Sequence, residues 1–374
     1  MIPFNKPYIS GNEINFIQDA IENNKLSGDG EFTRKCSELM ESYLFTGKCL
    51  LTTSCTDALE MSSILINIKE GDEIIIPSFT FVSTANAFVL RGAKIIFADS
   101  GANNPNVTAS SIESLITSRT KAIVVVHYAG IACDMEAILE IANKHNIFLI
   151  EDAAQAIDSF YKKKPLGTFG HFATFSFHET KNIQCGEGGA LIINDSNFVN
   201  RAEIIREKGT NRQAFFRGEV DKYGWMDLGS SFLPSEITAA FLLSQLKNKN
   251  KIQRKRVEIW DYYFCALKIL SEMGKIKLPF IPEFASNNGH MFYILCESLE
   301  VRQKLIIHLK SKNVLSVFHY ISLHKSDFYA SKHDGRDLTN SDRYSDTLLR
   351  LPLYFDLSQS EQDHIIQSIY DFFR

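Results

Sequence analysis

Phe148-Leu149-Ile150-Glu151-Asp152-Ala153-Ala154-Gln155 decides how this chain folds: a short apolar run ends in two carboxylates. Upstream, Asp134 to His145 carries Met135, Ile138, Leu139 and Ile141 on one side, the period of a helix. Ile74-Ile75-Ile76, Lys94-Ile95-Ile96-Phe97, Ala122-Ile123-Val124-Val125-Val126 and Ala173-Thr174-Phe175-Ser176-Phe177 read as further strands. Near-continuous β-branched runs suit strands covered on both faces of a parallel sheet. Helical stretches between them predict an α/β architecture. Ligands of such sheets gather beyond the carboxyl ends of the strands, where Asp152 stands.

A chain of 374 residues exceeds one small core and predicts two domains. After about residue 240 the texture changes. Gln245 to Tyr263, rich in Lys, Arg and Glu, reads as a long helix leaving the sheet. Pro279, Pro282 and Ser286-Asn287-Asn288-Gly289 punctuate the next stretch. Then come His290-Met291-Phe292-Tyr293-Ile294-Leu295, a helix near Val301 to Lys312 and a strand near Leu315 to Tyr320. The expected division is a large α/β domain over residues 1–245 and a smaller α+β domain over 246–374.

Net charge −4 without a basic cluster argues against nucleic acid or an anionic membrane as partner. Met1 to Pro7 has no basic stretch followed by an apolar run, and no window approaches the ~18 apolar residues of a membrane span. The seven cysteines are scattered, odd in number and free of Cys-x-x-Cys spacing, which predicts reduced thiols in a cytoplasmic protein and no zinc site. No His-Glu-x-x-His pattern occurs, so no metal is expected.

Three other segments bear chemistry. In Phe175-Ser176-Phe177-His178-Glu179-Thr180-Lys181-Asn182 a lysine comes after a strand, with Gly186, Gly188 and Gly189 close behind. Thr53-Ser54-Cys55-Thr56 precedes a helix expected from Asp57 to Ile68; hydroxyl residues there supply a cap and free N–H groups for an anion such as phosphate. Pro77-Ser78-Phe79-Thr80-Phe81 comes directly after the Ile74–Ile76 strand. If the strands are parallel, a carboxylate, an amine and an aromatic ring meet at one rim. Singly, each has a plainer reading: a strand-end Asp as a helix cap, Phe79 or Phe81 as core, Lys181 as a solvated surface lysine.

Ser54-Cys55-Thr56-Asp57-Ala58-Leu59, Pro77 to Thr84, Val126-His127-Tyr128-Ala129-Gly130, Glu151 to Gln155 and Ser176 to Asn182 occur in that order. Together they resemble the DegT/DnrJ/EryC1/StrS family of sugar-nucleotide aminotransferases, pyridoxal 5'-phosphate enzymes of fold type I with a large, mostly parallel sheet domain and a smaller C-terminal α+β domain. The resemblance spans essentially the whole chain. It implies that Lys181 attaches the cofactor and then carries protons, that Asp152 pairs with the pyridinium nitrogen, and that Gln155 bonds the phenolic oxygen. It also implies that Phe81 stacks on the ring, while Ser176 and the amides of Cys55 and Thr56 hold the phosphate. Related dehydratases carry histidine in place of that lysine, so Lys181 points to transamination.

The resemblance also implies a homodimer with shared active sites, in which the stretch from Gly209 to Ser231 reaches across. Many members place an asparagine on the neighbour's phosphate; Ser231 stands there in this chain. His319, Tyr320 and His324 resemble a substrate-side loop, and Arg206 and Arg212 could meet a diphosphate. Arg206 to Arg212, Phe215 to Gly218 and Asp221 to Trp225 are most similar to transaminases acting on dTDP-4-dehydro-6-deoxyglucose. The reaction so implied takes an amine from L-glutamate to sugar C4, giving dTDP-4-amino-4,6-dideoxygalactose for a cell-surface polysaccharide such as lipopolysaccharide O-antigen. The gluco epimer and, less favoured, a C3 amine are the alternatives.

Overall fold

The computed structural model describes residues 1–45 and 47–374. Strands β1 (Lys48–Thr52), β2 (Glu73–Pro77), β3 (Lys94–Ala98), β4 (Thr120–Val126) and β5 (Phe148–Asp152) come first. A short hairpin, β6 (Phe160–Tyr161) and β7 (Lys164–Pro165), precedes β8 (Phe172–Ser176) and β9 (Gly189–Ile193). The last three strands are β10 (Phe292–Leu295), β11 (Val317–Phe318) and β12 (Leu348–Leu351). Helices α1 (Glu13–Glu22), α2 (Glu31–Leu44), α3 (Cys55–Leu65), α4 (Ser83–Val89), α5 (Ala109–Glu113) and α6 (Met135–Lys144) lie in the first half. After them come α7 (Val199–Arg206), α8 (Arg212–Phe216), α9 (Glu236–Lys247) and α10 (Lys249–Glu272). The chain ends with α11 (Leu299–Ser311), α12 (Thr339–Thr347) and α13 (Gln359–Phe373).

Among the described residues, seven strands form one sheet in the order β1-β9-β8-β5-β4-β2-β3. The pairs β2–β3, β2–β4, β4–β5 and β5–β8 are parallel, whereas β9 runs antiparallel to both β8 and β1. The sheet is thus mixed and mostly parallel, and the apolar runs of its strands have the reason anticipated. Ile75, Ile123 and Leu149 pack into the core on one face, and Ile74, Val124 and Ile150 into the core on the other. Successive residues of a strand point to opposite faces, so each layer needs its own apolar set.

A second sheet, β10-β12-β11, carries a separate core of Trp260, Tyr263, Phe292, Leu305, Leu349 and Ile365 between strands and helices. The first residues of the chain join this core: Ile2 pairs with Val314, and its N–H donates to Asn313 O at 2.7 Å. A smaller cluster with Phe79, Tyr128, Tyr293 and Tyr344 packs loops of the large sheet against the second sheet.

Helix α3 begins two residues before the expected Asp57 and ends three before Ile68, and two larger differences occur elsewhere. The helix expected from Gln245 is two helices, α9 and α10, broken at Asn248, whose side chain donates to Ser244 O at 2.9 Å. The strand expected over Leu315 to Tyr320 shrinks to β11, because His319 and Tyr320 leave the sheet to line a cavity. No helix among the described residues is long and apolar enough to cross a membrane, and no cluster of potential metal ligands occurs among them.

Candidate active site

The carboxyl ends of β5 and β8, the start of α3 and the loop after β2 meet parts of the second sheet around a cavity of about 540 Å³. Strand register puts Asp152 level with Val126 on one side and Thr174 on the other. Asp152 is only 6 % exposed. Its Oδ2 accepts from Thr84 Oγ1 at 2.8 Å and its Oδ1 from the Ala154 N–H at 3.2 Å. Burial raises its pKa, and the hydrogen bond from Thr84 and the nearby Lys181 work against that rise. Glu151, one residue earlier, faces the other way. It accepts from His127 Nε2 at 3.0 Å and from the amides of Gly167, Phe169 and Gly170. Burial pushes the Glu151 pKa up, but those donors outweigh it and leave the carboxyl below its ordinary range.

Gln155 lies in the turn after β5, its Oε1 accepting from the Ala129 N–H at 2.6 Å and its Nε2 donating to Tyr320 Oη at 3.2 Å. Lys181 projects into the same cavity from the loop after β8, its N–H donating to His178 O at 2.9 Å. Burial lowers its pKa, offset in part by Cys55 and Asp152, while the positive Arg350 pushes the same way as burial. A lysine so placed has more of the neutral amine that a nucleophile needs.

The floor is the first turn of α3. Ser54 caps it, its Oγ accepting from the Asp57 N–H at 3.0 Å. A capped N-terminus of this kind leaves amides free to meet an anion. Gly189 on β9 makes the approach of that turn feasible, since a Cβ there would lie 2.3 Å from Ser54 C and 2.4 Å from Cys55 N. Cys55 and Thr56 therefore begin the helix at the cavity, and Ser176 closes β8 beside them. The Cys55 thiol is pushed well up by burial and so stays protonated. Phe81 is 55 % exposed at the rim, with its ring centroid 6.0 Å from that of Tyr320.

From the second sheet come His290, His319, Tyr320 and Arg350. Arg350 Nη1 donates to His319 Nε2 at 3.1 Å, which fixes the tautomer: His319 Nδ1–H donates to Tyr128 Oη at 3.0 Å. His290 Nδ1–H donates to Asn182 Oδ1 at 2.9 Å, leaving Nε2 as an acceptor. Burial, reinforced by Arg350 and Lys181, holds both histidines well below their ordinary pKa, hence neutral.

Pyridoxal phosphate fits this donor set. A helix N-terminus and a hydroxyl suit its phosphate, a buried carboxylate suits a protonated ring nitrogen, and a buried amine suits its carbonyl. Lys181, Asp152, Gln155, Phe81, Ser176, Cys55 and Thr56 all line the one cavity. His319 and Tyr320 do too, on the opposite wall.

Four predicted residues, His324, Arg206, Arg212 and Ser231, stand elsewhere. His324 is buried behind the cavity, with Nδ1 2.7 Å from Ser78 Oγ and Nε2 3.5 Å from Asp342, because the short turn Leu323–Lys325 directs it back into the fold. Arg212 and Ser231 line a separate cleft of about 750 Å³. There Arg212 pairs with Glu207 at 3.0 Å and lies over the Phe216 ring, while the buried Arg206 pairs with Asp29 at 2.6 Å. Within one subunit neither Arg212 nor Ser231 reaches Lys181's cavity. Sequence reasoning missed Thr84, His290 and Arg350. Thr84 stands at the end of a motif whose aromatic residues drew the attention, and a charged residue inside the apolar run Leu348-Leu349-Arg350-Leu351 was the overlooked signal for Arg350.

Residues 7–370 match the DegT/DnrJ/EryC1/StrS aminotransferase family. GDP-perosamine synthase of Escherichia coli O157:H7 is 30% identical over 373 residues, covering 100% of this chain and 98% of the relative. The spore coat polysaccharide biosynthesis protein SpsC of Bacillus subtilis is 30% identical over 379 residues, with 99% and 96% covered. Among solved structures, the sugar aminotransferase Spr1654 of Streptococcus pneumoniae in its PMP form superposes with a TM-score of 0.91 at 25% identity, covering 100% of this chain and 99% of the other.

Proposed function

We propose, for a chain that belongs to the DegT/DnrJ/EryC1/StrS aminotransferase family, that it transfers an amine to C4 of dTDP-4-dehydro-6-deoxy-D-glucose. The chain is a pyridoxal-phosphate-dependent sugar aminotransferase. The observation that carries the reading is the placement of Lys181 near a buried Asp152 on one cavity, with the α3 N-terminus as its floor. Bound there, the cofactor supplies an electron sink. Asp152 keeps a proton on the ring nitrogen, and Thr84 holds that carboxylate in place. Gln155 is pinned by the Ala129 amide and offers its remaining amide hydrogen toward the ring oxygen. Lys181 moves a proton between the carbon beside the ring and sugar C4, and its lowered pKa suits that exchange at neutral pH.

The donor in this reading is L-glutamate and the product dTDP-4-amino-4,6-dideoxy-D-galactose, destined for a cell-surface polysaccharide. The likeness of Arg206 to Trp225 to dTDP-sugar transaminases supports the nucleotide. A homodimer accounts for the residues left over: Ser231 and Arg212 would act on the partner's site. Trp225 (84 %), Phe216 (61 %) and Met226 (61 %) are exposed apolar side chains in the stretch that would reach across.

Incubation with the dTDP-4-keto sugar and L-glutamate, then NMR of the product, tests this. A C4 amine with a small H3–H4 coupling supports the galacto product, and a large coupling the gluco epimer; amination at C3 overturns the assignment. A GDP-linked 4-keto sugar is the second reading, favoured by the full-length similarity to GDP-perosamine synthase, and the same assay with that substrate separates the two.

A further inference from the structure

His290 stands just before β10 with its ring on the Lys181 cavity, and the residue is only 4 % exposed. Most of its polar atoms are engaged in the interior. Its N–H donates to Asn288 Oδ1 at 3.0 Å, its carbonyl accepts from Arg256 Nη2 at 2.8 Å, and Nδ1–H donates to Asn182 Oδ1 at 2.9 Å. Asn182 fixes the tautomer. Its Nδ2 donates to Asn288 O at 2.9 Å, a carbonyl that can only accept, so its own oxygen must face the ring. Nε2 of His290 is left as an acceptor with no partner among the described residues.

The Lys181 amine, on the same cavity, is likewise without a hydrogen bond or ion pair among the described residues. Its neighbours there are turned elsewhere: Thr84 donates to Asp152, Gln155 to Tyr320, and Arg350 Nη1 to His319. Asn182, the residue after Lys181, is the one that holds the ring, so His290 and the lysine loop share an anchor. Of the charged groups around His290, Lys181 adds most to the lowering of its pKa that burial begins. A flexible four-carbon stem lets a released lysine head swing to a nearby acceptor.

We propose that His290 is a positioning residue for Lys181: its Nε2 accepts a hydrogen bond from the lysine amine whenever that amine is not joined to the cofactor. The contact holds the amine beside the carbon it serves. No proton passes to His290. Lys181 takes a proton from that carbon, becomes an ammonium with three N–H bonds, directs one of them at Nε2 and keeps another for transfer. Protonating the ring would set a further cation beside Lys181, Arg350 and Arg256, so the ring stays an acceptor. The inference rests on the transamination proposed above.

The test compares wild type, His290→Asn and His290→Gln as holoenzymes reconstituted with pyridoxamine phosphate, in which the Lys181 amine is free. Asparagine keeps an N–H for Asn182 but has no acceptor at the far edge of the ring; glutamine reaches further and restores one. Lys181 is titrated by its rate of acetylation with acetic anhydride across pH, read by mass spectrometry. An acceptor binds an ammonium more strongly than a neutral amine, so in His290→Asn the Lys181 titration moves down by about half a pH unit or more. Both half-reactions, followed by the absorbance of the cofactor, slow about 30-fold at unchanged half-saturating concentrations, short of the ~100-fold that ~1 Å of misplacement can cost. His290→Gln recovers to within about fivefold of wild type, the worth of one imperfect hydrogen bond. Wild-type titration and rates in His290→Asn overturn the assignment. So does cofactor loss or weaker saturation with the Lys181 titration unmoved, the mark of a purely structural residue. A wild-type enzyme that converts no α-amino acid overturns the transaminase reading alone, because the titration shift is read without turnover and still decides the contact.

Discussion

Asn288 ties the two sheets together behind the Lys181 cavity, and its replacement by alanine is the most informative structural perturbation. Its Nδ2 donates to Gln155 O at 2.8 Å and Ile157 O at 2.9 Å, and its Oδ1 accepts from the His290 N–H at 3.0 Å. Its backbone oxygen accepts from Asn182 Nδ2 at 2.9 Å, one residue from Lys181. The residue is 1 % exposed. Asn288→Ala therefore removes three buried hydrogen bonds. Ile157 O keeps a second donor in Gln253 at 3.3 Å, but Gln155 O and the His290 N–H are left without partners. At about 1 kcal/mol for each lost bond, and more where a buried group is orphaned, the cost is about 3–5 kcal/mol. Because the turn with Gln155 and the loop with Lys181 both lean on Asn288, cofactor retention should fall with stability. Urea unfolding with intact cofactor measures the first effect, and cofactor release on dialysis, read by absorbance, measures the second. An unfolding midpoint and a retention curve both matching the wild type would refute the idea that Asn288 is the tie.

Lys181→Ala is expected to abolish transamination and the absorbance of the attached cofactor while leaving the fold intact; full turnover in that variant sinks the mechanism. Glu236 is a buried carboxylate that accepts from the amides of Gly30, Phe32 and Thr33 at 3.0, 2.8 and 3.1 Å, capping α2 from the start of α9. Glu236→Ala should cost about 3 kcal/mol or more by orphaning those donors, read as a shifted denaturation midpoint. Acid should destabilise the protein through His290 and His319. Their folded pKa values lie well below the unfolded 6.5, so below that pH the unfolded chain takes up protons that the folded chain refuses. Stability then falls by about 1.4 kcal/mol per pH unit for each histidine as pH drops from about 6.5. Asp152, with its raised pKa, contributes in the opposite sense near its own titration. Replacing both histidines with glutamine should flatten the acid limb between about pH 6.5 and pH 5, and an unchanged slope counts against them.

The part of the site carried by the large sheet was readable because each residue comes after a strand whose apolar run is itself readable. Asp152 and Ser176 end β5 and β8, and Lys181 and Gln155 lie a few residues beyond. Parallel strands then do the gathering, and the sequence needs only to say where each strand stops. The opposite wall was not readable in this way. His290 and Arg350 lie more than a hundred residues beyond Lys181; His290 meets Asn182 only when the second sheet's loop packs against the large one, and Arg350 meets His319 only when β11 pairs with β12. His324 shows the reverse error. Five residues from His319 it reads as part of one loop, but a single short turn sends it to Ser78 and Asp342 on the far side.

Glu151 and Asp152 are chemically almost the same side chain at consecutive positions, and only the pleat of β5 separates their duties. One is locked to His127 and three amides in the interior; the other faces the cavity. An inserted residue upstream in this strand would bring Glu151 to the cavity-facing position, a longer and wrongly supported carboxylate, and a deletion would turn Asp152 inward, short of the glycine amides. For anyone recombining or grafting segments of this enzyme, β5 thus behaves as an indivisible word whose letters may be substituted but not shifted.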